Sequence, residues 1–273
     1  MLFRRQKKLG IIGCGAIGTE IACAVDNGDI NVALEACCDT DRAKYHLLVS
    51  KLKKAKPALM DMEKLIKKCD LVVECAQKAA VKDIFKLAIK HNRDIVFLSA
   101  GGVLENMDLV EEARSKLINV YVPSGAVVGI DGLDAAKYHG LKQVTLITRK
   151  PPKAFAGVKY LEDKGINPAD IVTETVIFDG TAREAVIGFP ANINVAATLS
   201  IAGIGPDATR VKIIADPFVS TNKHELIVEG DFGRFRAITE NFPSPNNPKT
   251  SYLTALSVIV LIKKIVEPLH IGT

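Results

Sequence analysis

The stretch Lys8-Leu9-Gly10-Ile11-Ile12-Gly13-Cys14-Gly15-Ala16-Ile17-Gly18 decides how the first half of this chain is read. Lys8–Ile12 is a short apolar run and reads as a strand. Gly13 to Gly18 match G-x-G-x-x-G, and a helical pattern follows to about Val25. Each glycine has its own task. Gly13 permits the tight turn, Gly15 lets a pyrophosphate approach the backbone, and Gly18 allows helix and strand to pack closely. Ala16 and Ile17 open the helix, whose unpaired N–H groups and positive dipole end favour an anion. A second apolar run, Val32–Asp39, ends in an acidic residue about 20 positions after Gly18, the spacing at which a carboxylate binds the adenosine ribose. Asp39 would repel a 2′-phosphate, so NAD is the expected cofactor. Arg42 lies close enough in sequence to receive that phosphate, which keeps NADP open as a second cofactor. A turn or helix cap is the structural alternative for Asp39.

Outward from this turn, strands alternate with helices. Asp70–Ala76, Asp94–Ser99 and Asn119–Val122 read as strands. Asp61–Lys68, Val81–Lys90 and Met107–Leu117 read as helices. Near-continuous apolar strands at this spacing predict a parallel sheet buried on both faces. The pattern changes after about residue 126. Gln143–Thr148, Glu174–Phe178 and Arg210–Ala215 read as strands, and Lys223–Glu229 with Arg234–Thr239 as a hairpin. Helices are expected at Thr181–Ile187 and Asn192–Ile201, a rigid loop at Phe242–Pro248, and a long helix at Ser251–Val266. The expected fold class is α/β, with an N-terminal Rossmann-type doubly wound parallel sheet. A C-terminal α+β domain on a mainly antiparallel sheet follows. The domains are expected at 1–126 for the dinucleotide, 127–248 for substrate and catalysis, and 249–273 as a C-terminal helix that can return to the first domain.

Composition narrows the function. The chain has 273 residues and a formal charge of +5, and only 5% of residues are aromatic, with no Trp. The charge excess is mild and spread out, so nucleic acid is not expected as a partner. No run approaches the roughly 18 apolar residues of a membrane span, so no membrane partner is expected. The basic start and the apolar run after it look partly like a signal peptide, but the glycines have the better explanation. The chain is expected to be cytoplasmic. Cys14, Cys23, Cys37, Cys38, Cys69 and Cys75 lack metal spacing and read as free core thiols in a reducing compartment. No metal is expected.

Strand ends carry the other candidates, because ligands of open α/β sheets sit at the carboxyl ends of strands. Cys75-Ala76 and Ser99-Ala100 offer small residues there, with room for ribose and nicotinamide. In the second half, His224 falls on the same face of its strand as Leu226 and Val228 by period-two counting. A lone histidine on an apolar face also fits an ordinary core residue. His139 reads as a helix-end charge partner. One helix cap accounts for one of Asn192 and Asn194 but not both. Lys249 and Thr250 precede the last helix, where anions are favoured. Arg149 and Lys150 would suit a dicarboxylate.

Several segments together resemble the L-aspartate dehydrogenase family. They are Val122-Pro123-Ser124-Gly125-Ala126 with Gly129 and Asp131, Phe189-Pro190-Ala191-Asn192-Ile193-Asn194-Val195-Ala196, Ala215-Asp216-Pro217 followed by Asn222 and His224, and Pro243 to Ser251. The resemblance runs in order from the glycine turn to the last helix. It implies reversible oxidative deamination of L-aspartate to oxaloacetate and ammonia through iminoaspartate, feeding NAD biosynthesis. It also implies His224 as the catalytic residue and Ala126 and Asn192 as cofactor contacts. Asn194, Lys249 and Thr250 are candidate substrate contacts. A homodimer is expected, since a sheet of this kind often leaves a face to pair. The rivals are a homoserine dehydrogenase or dihydrodipicolinate reductase type of enzyme and a non-enzymatic NAD(H)-sensing regulator. The absence of a His-His pair counts against the reductase, and the absence of a basic helix-turn-helix counts against the regulator.

Overall fold

Apolar runs become strands where neighbours can satisfy their backbone groups. The computed structural model describes residues 5–189, 194–244 and 247–272, and only the backbone for 247–250. β1 is Lys8–Ile12, β2 Ala33–Cys38, β3 Ala58–Leu59, β4 Leu71–Glu74, β5 Asp94–Phe97 and β6 Val120–Tyr121. They make one six-stranded sheet in the order β3-β2-β1-β4-β5-β6, with every pairing parallel. Strand order reverses between β1 and β4, so the ligand crevice of such a sheet opens at their carboxyl ends.

Helices cover this sheet by a simple device. Val81–His91 buries Val81, Ile84, Phe85, Ala88 and Ile89, the i, i+3, i+4 stripe of an amphipathic helix. The chain divides into two compact units, residues 1–123 with 255–270, and 124–254 with 271–273. The last helix, Tyr252–Val266, therefore belongs largely to the first unit. Its Val258 and Ile262 are fully buried in one apolar cluster with Leu9, Ile11, Leu34 and Val96.

The second unit holds β7 Leu141–Lys150, β8 Thr175–Thr181, β9 Arg210–Ala215, β10 Asn222–Gly230 and β11 Gly233–Asn241. Their order is β11-β10-β7-β9-β8. Only β7 and β9 run parallel in this sheet, and the other pairings are antiparallel. The hairpin between β10 and β11 turns at Asp231-Phe232, with Gly233 at φ +122°, a value that favours glycine. The expected fold class holds: a Rossmann-type parallel sheet, then a mixed, mainly antiparallel one.

Local readings needed correction at three places. Arg42–Ser50 is a helix that the pattern did not announce. Asp41 caps it by accepting from Ala43 N–H at 2.9 Å, but only Leu48 on it is buried, so its apolar stripe is faint. The strand expected at Asp94–Ser99 ends at Phe97, and Ala100–Leu104 is a short helix. Phe242–Pro248 is not a plain loop. β12 Pro243–Ser244 and β13 Asn247–Ser251 pair antiparallel across it, with prolines in a short ribbon that has no central strand to interrupt. Among the described residues, no helix is long and apolar enough to cross a membrane.

Candidate active site

The glycine turn shows which glycines the protein needs and which one a ligand needs. Gly13 has φ +103°, and a Cβ there would collide with the Cys75 carbonyl. A Cβ on Gly18 would collide with the Gly13 carbonyl. These two are demanded by the fold. Gly15 is different: a Cβ there would meet nothing within 4 Å. Its missing side chain leaves a cradle open, which fits a pyrophosphate. The first helical bond runs from Thr19 N–H to Gly15 O at 2.9 Å. Ala16, Ile17 and Gly18 thus present N–H groups ahead of the helical ladder, the arrangement that receives an anion.

Asp39 stands beside this turn. Its Oδ2 accepts from Cys14 N–H at 2.7 Å and its Oδ1 from Asp41 N–H at 2.8 Å. Asp41, not Asp39, caps the next helix. Both carboxylate oxygens are thereby fixed in direction, while the side chain stays partly exposed. Arg42 is exposed in the first turn of that helix.

Glu74, which the sequence places at a strand end without a role of its own, ties the other strand ends together. Its Oε1 accepts from Ala76 N–H at 2.8 Å and Ser99 Oγ at 3.0 Å, and its Oε2 accepts from Ser99 N–H at 2.9 Å. It is fully buried. Burial pushes its carboxyl above the usual range, while the donors from Ser99 and Ala76 pull the other way. The available signal was a carboxylate closing the apolar run Leu71-Val72-Val73. Gly13, Asp39, Cys75, Ala76, Ser99 and Ala100 are thus gathered at neighbouring strand ends of one sheet, and they fit a dinucleotide. Gly15, Ala16, Ile17 and Gly18 complete that edge.

In the second unit, His224 is 4% exposed, and Leu226 and Val228 on the same strand are buried with it. Register explains the rest. His224 lies opposite Thr148 of β7 and Thr239 of β11. His224 Nδ1 and Thr148 Oγ1 share a hydrogen bond at 3.1 Å, which orients the imidazole and leaves Nε2 for other chemistry. Lys150 is buried two positions further along β7 on the same face. Burial, and then the charge of Lys150, push His224 down to about 3. Both effects favour the neutral imidazole over the protonated one. Burial pushes Lys150 down to about 8.

Ala126 is buried, and its carbonyl accepts from Thr239 Oγ1 at 3.0 Å and Asn241 Nδ2 at 2.9 Å. Thr148, Thr239 and Asn241 escaped the sequence reading, because nothing local marks a threonine or asparagine as facing a histidine. Arg149 and Lys150 part company. Arg149 turns to the other face and pairs with Glu174 at 2.5 Å and Asp216 at 3.8 Å. Asn194 is exposed at the start of the helix Asn194–Ala202. Asn192 lies outside the described residues. Lys249 and Thr250 fall within β13, and their side chains lie outside what is described. His139 and His46 are exposed, and His91 meets Glu63 at 3.0 Å. All six cysteines are free, and among the described residues no cluster could hold a metal.

A glycine turn at the switch point of a parallel sheet, joined in one chain to a mixed sheet with a buried histidine, defines a nicotinamide-nucleotide oxidoreductase. The family "Aspartate dehydrogenase, C-terminal" matches residues 131–265, and "Homoserine dehydrogenase, NAD binding domain" matches 13–123. L-aspartate dehydrogenase of Methanosarcina acetivorans is 48% identical over 272 residues, covering 97% of this chain and 99% of that one. The enzyme of the same name from Bradyrhizobium diazoefficiens is 41% identical, covering 98% and 95%. The crystal structure of aspartate dehydrogenase from Thermotoga maritima superposes with a TM-score of 0.73 at 27% identity, covering 98% of this chain and 100% of that one. The chain belongs to the L-aspartate dehydrogenase family. The homoserine dehydrogenase likeness is confined to the nucleotide-binding half.

Proposed function

We propose that the chain catalyses the reversible oxidative deamination of L-aspartate to oxaloacetate and ammonia through iminoaspartate, with NAD preferred over NADP. The observation that carries this reading is the oriented His224–Thr148 pair beside a buried lysine, in a chain so similar to L-aspartate dehydrogenases. Residues 1–126 serve the dinucleotide and 127–248 the substrate and its proton transfers.

Bound NAD would supply the acceptor for the hydride leaving Cα. The chain's own residues do the remaining work. Gly15 and the N–H groups of Ala16 and Ile17 hold the pyrophosphate, Asp39 the ribose hydroxyls, and Cys75, Ala76, Ser99 and Ala100 line the nicotinamide side. Thr148 fixes the ring of His224. The substrate ammonium must give up a proton before hydride can leave, and the neutral tautomer of His224 that donates from Nδ1 to Thr148 Oγ1 would leave Nε2 to accept it. A bound dicarboxylate offsets the charge of Lys150, which makes that acceptance easier. Once His224 has passed that proton to solvent, water adds to the imine carbon, His224 takes a proton from it and returns that proton to the departing nitrogen, and ammonia leaves.

The other face of the second sheet suits a second copy of the chain. Ile147 and Ile227 are partly exposed there, and Val176 and Ile238 are 51% and 45% exposed. Arg236–Glu225 and Lys223–Glu240 ion pairs, each at 2.6 Å, run across the same face. We assign this face to a homodimer. The free thiols suit the reducing cytoplasm.

The test is NADH absorbance on adding L-aspartate, compared with homoserine and other amino acids, for the wild type and His224→Ala. Turnover is expected with L-aspartate. The variant should keep NADH affinity and lose on the order of 10²–10⁴-fold in kcat. Near-normal turnover in the variant would overturn the role of His224, and no reaction with any amino acid despite NADH binding would overturn the enzymatic reading.

A further inference from the structure

Residues opposite one another in register share a face of a sheet, so the second sheet carries its side chains in rows. One row is Ile213, Thr148, His224 and Thr239, each opposite the next. The next row on the same face begins with Ala215 and Lys150. Asn222, one step beyond the Lys223–Arg149 pair, lies level with Lys150, and it pairs in turn with Asn241. The two rows are about 7 Å apart along the strands, two residues at roughly 3.4 Å each. Lys150 and Asn241 are 8% and 5% exposed. The first row carries a hydrogen-bonded imidazole, and the second a covered cation among amides.

Lysines are rarely this well covered, because taking an ammonium out of water is costly. The neighbouring Arg149 turns to the opposite face, where it meets Glu174. Lys150 faces the other way, towards the histidine. An ammonium in such surroundings attracts an anion far more strongly than a surface lysine does.

The reacting carbon of an α-amino acid carries both its amine and its α-carboxylate. Those groups stay with the row that handles the amine proton. The carboxylate of an acidic side chain lies further out, towards the next row. We propose that Lys150 holds the distal carboxylate of the substrate, one row of the sheet away from His224, and so selects acidic over neutral amino acids. This rests on the assignment of His224 to proton transfer at the amine. An amide in place of the distal carboxylate carries no charge for the covered ammonium to attract. A filled site also lowers the local positive charge that keeps protons off His224, so binding of the right substrate prepares the base.

The experiment compares wild type, Lys150→Met and Lys150→Arg as full chains. Methionine keeps length and apolar volume, and unchanged NADH affinity reports folding. Steady-state NAD reduction is read with L-aspartate and with L-asparagine, across pH. Binding of succinate and of its monoamide is read separately by calorimetry. For Lys150→Met, KM for L-aspartate is expected to rise at least ~30-fold while kcat falls less than ~10-fold, in line with loss of one partner of a desolvated charge pair. The preference for aspartate over asparagine collapses, the acid limb of kcat/KM moves upward in pH, and succinate binds no better than its monoamide. Lys150→Arg restores part of the preference. An unchanged KM, or equal losses for aspartate and asparagine with succinate still preferred, overturns the proposal. If the wild type reduces no NAD with aspartate, the enzymatic reading fails instead, and the succinate comparison still decides the role of Lys150.

Discussion

Asp39 is held by two backbone bonds, and ribose recognition is the further role proposed for that carboxylate. It receives the backbone N–H groups of Cys14 and Asp41, and those bonds aim it beside the glycine turn. A serine there would keep part of the hydrogen bonding and lose the charge that repels a 2′-phosphate. Asp39→Ser should therefore shift the NAD:NADP ratio of kcat/KM towards NADP by roughly tenfold or more, since hydrogen bonds to charged groups are worth ~1.5–3 kcal/mol. Steady-state kinetics with both cofactors measures it, and an unchanged ratio removes Asp39 from ribose recognition. Gly15 makes a companion argument at the same scale. The fold makes no demand on it, so its emptiness points outward to a ligand.

At the scale of elements, β7 and β10 bring together what the chain keeps apart. Thr148 and His224 are 76 positions distant, yet their side chains share a hydrogen bond. Burying them has a consequence for stability. The unfolded chain protonates His224 below about 6.5, whereas the folded one holds it neutral down to about 3. In that window the unfolded state binds the extra proton, so stability falls as pH falls. Lys150 acts alike between about 8 and its ordinary 10.5, where the unfolded state again holds more protons and stability rises with pH. His224→Gln should flatten the acid slope by up to one proton, ~1.4 kcal/mol per pH unit. Urea midpoints from pH 4 to 7 test this, and parallel curves for variant and wild type would contradict the buried neutral imidazole.

The same strands show where the sequence was legible. The glycine turn was readable because each glycine answers to atoms a few positions away or to the ligand. The face of His224 was readable from alternation within one strand. Lys150 stood out only as one of two cations, since register between β7 and β10 decides which of Arg149 and Lys150 faces the histidine, and register is a property of the pair of strands. The role of Glu74 was not legible because its three donors come from two strand ends. The helix Arg42–Ser50 escaped because it buries so little.

At the scale of the whole molecule, two features remain to be used. The first is the sheet face bearing Ile147, Ile227 and Ile238. Its partly exposed isoleucines, set among ion pairs, are what a second copy would cover in the proposed homodimer. Wild type should elute at twice the 29.4 kDa of one chain. Ile238→Glu, which places a carboxylate beside Glu225 at the opposing register position, should yield monomer. Light scattering coupled to size exclusion reads both, and a wild-type monomer would refute the homodimer.

The second feature is the last helix. Val258 and Ile262 complete an apolar cluster whose other members begin at Leu9. The nucleotide-binding unit is thus assembled from two separated segments, 1–123 and 255–270, with most of the second unit translated in between. While the ribosome is still making the chain, that first core stays open on one side. It can close only once the final helix has left the exit tunnel. Dinucleotide affinity should accordingly appear once the helix Tyr252–Val266 has emerged rather than when residue 123 emerges, and a stop codon near residue 250 should leave a nascent first unit with its hydrophobic cluster exposed.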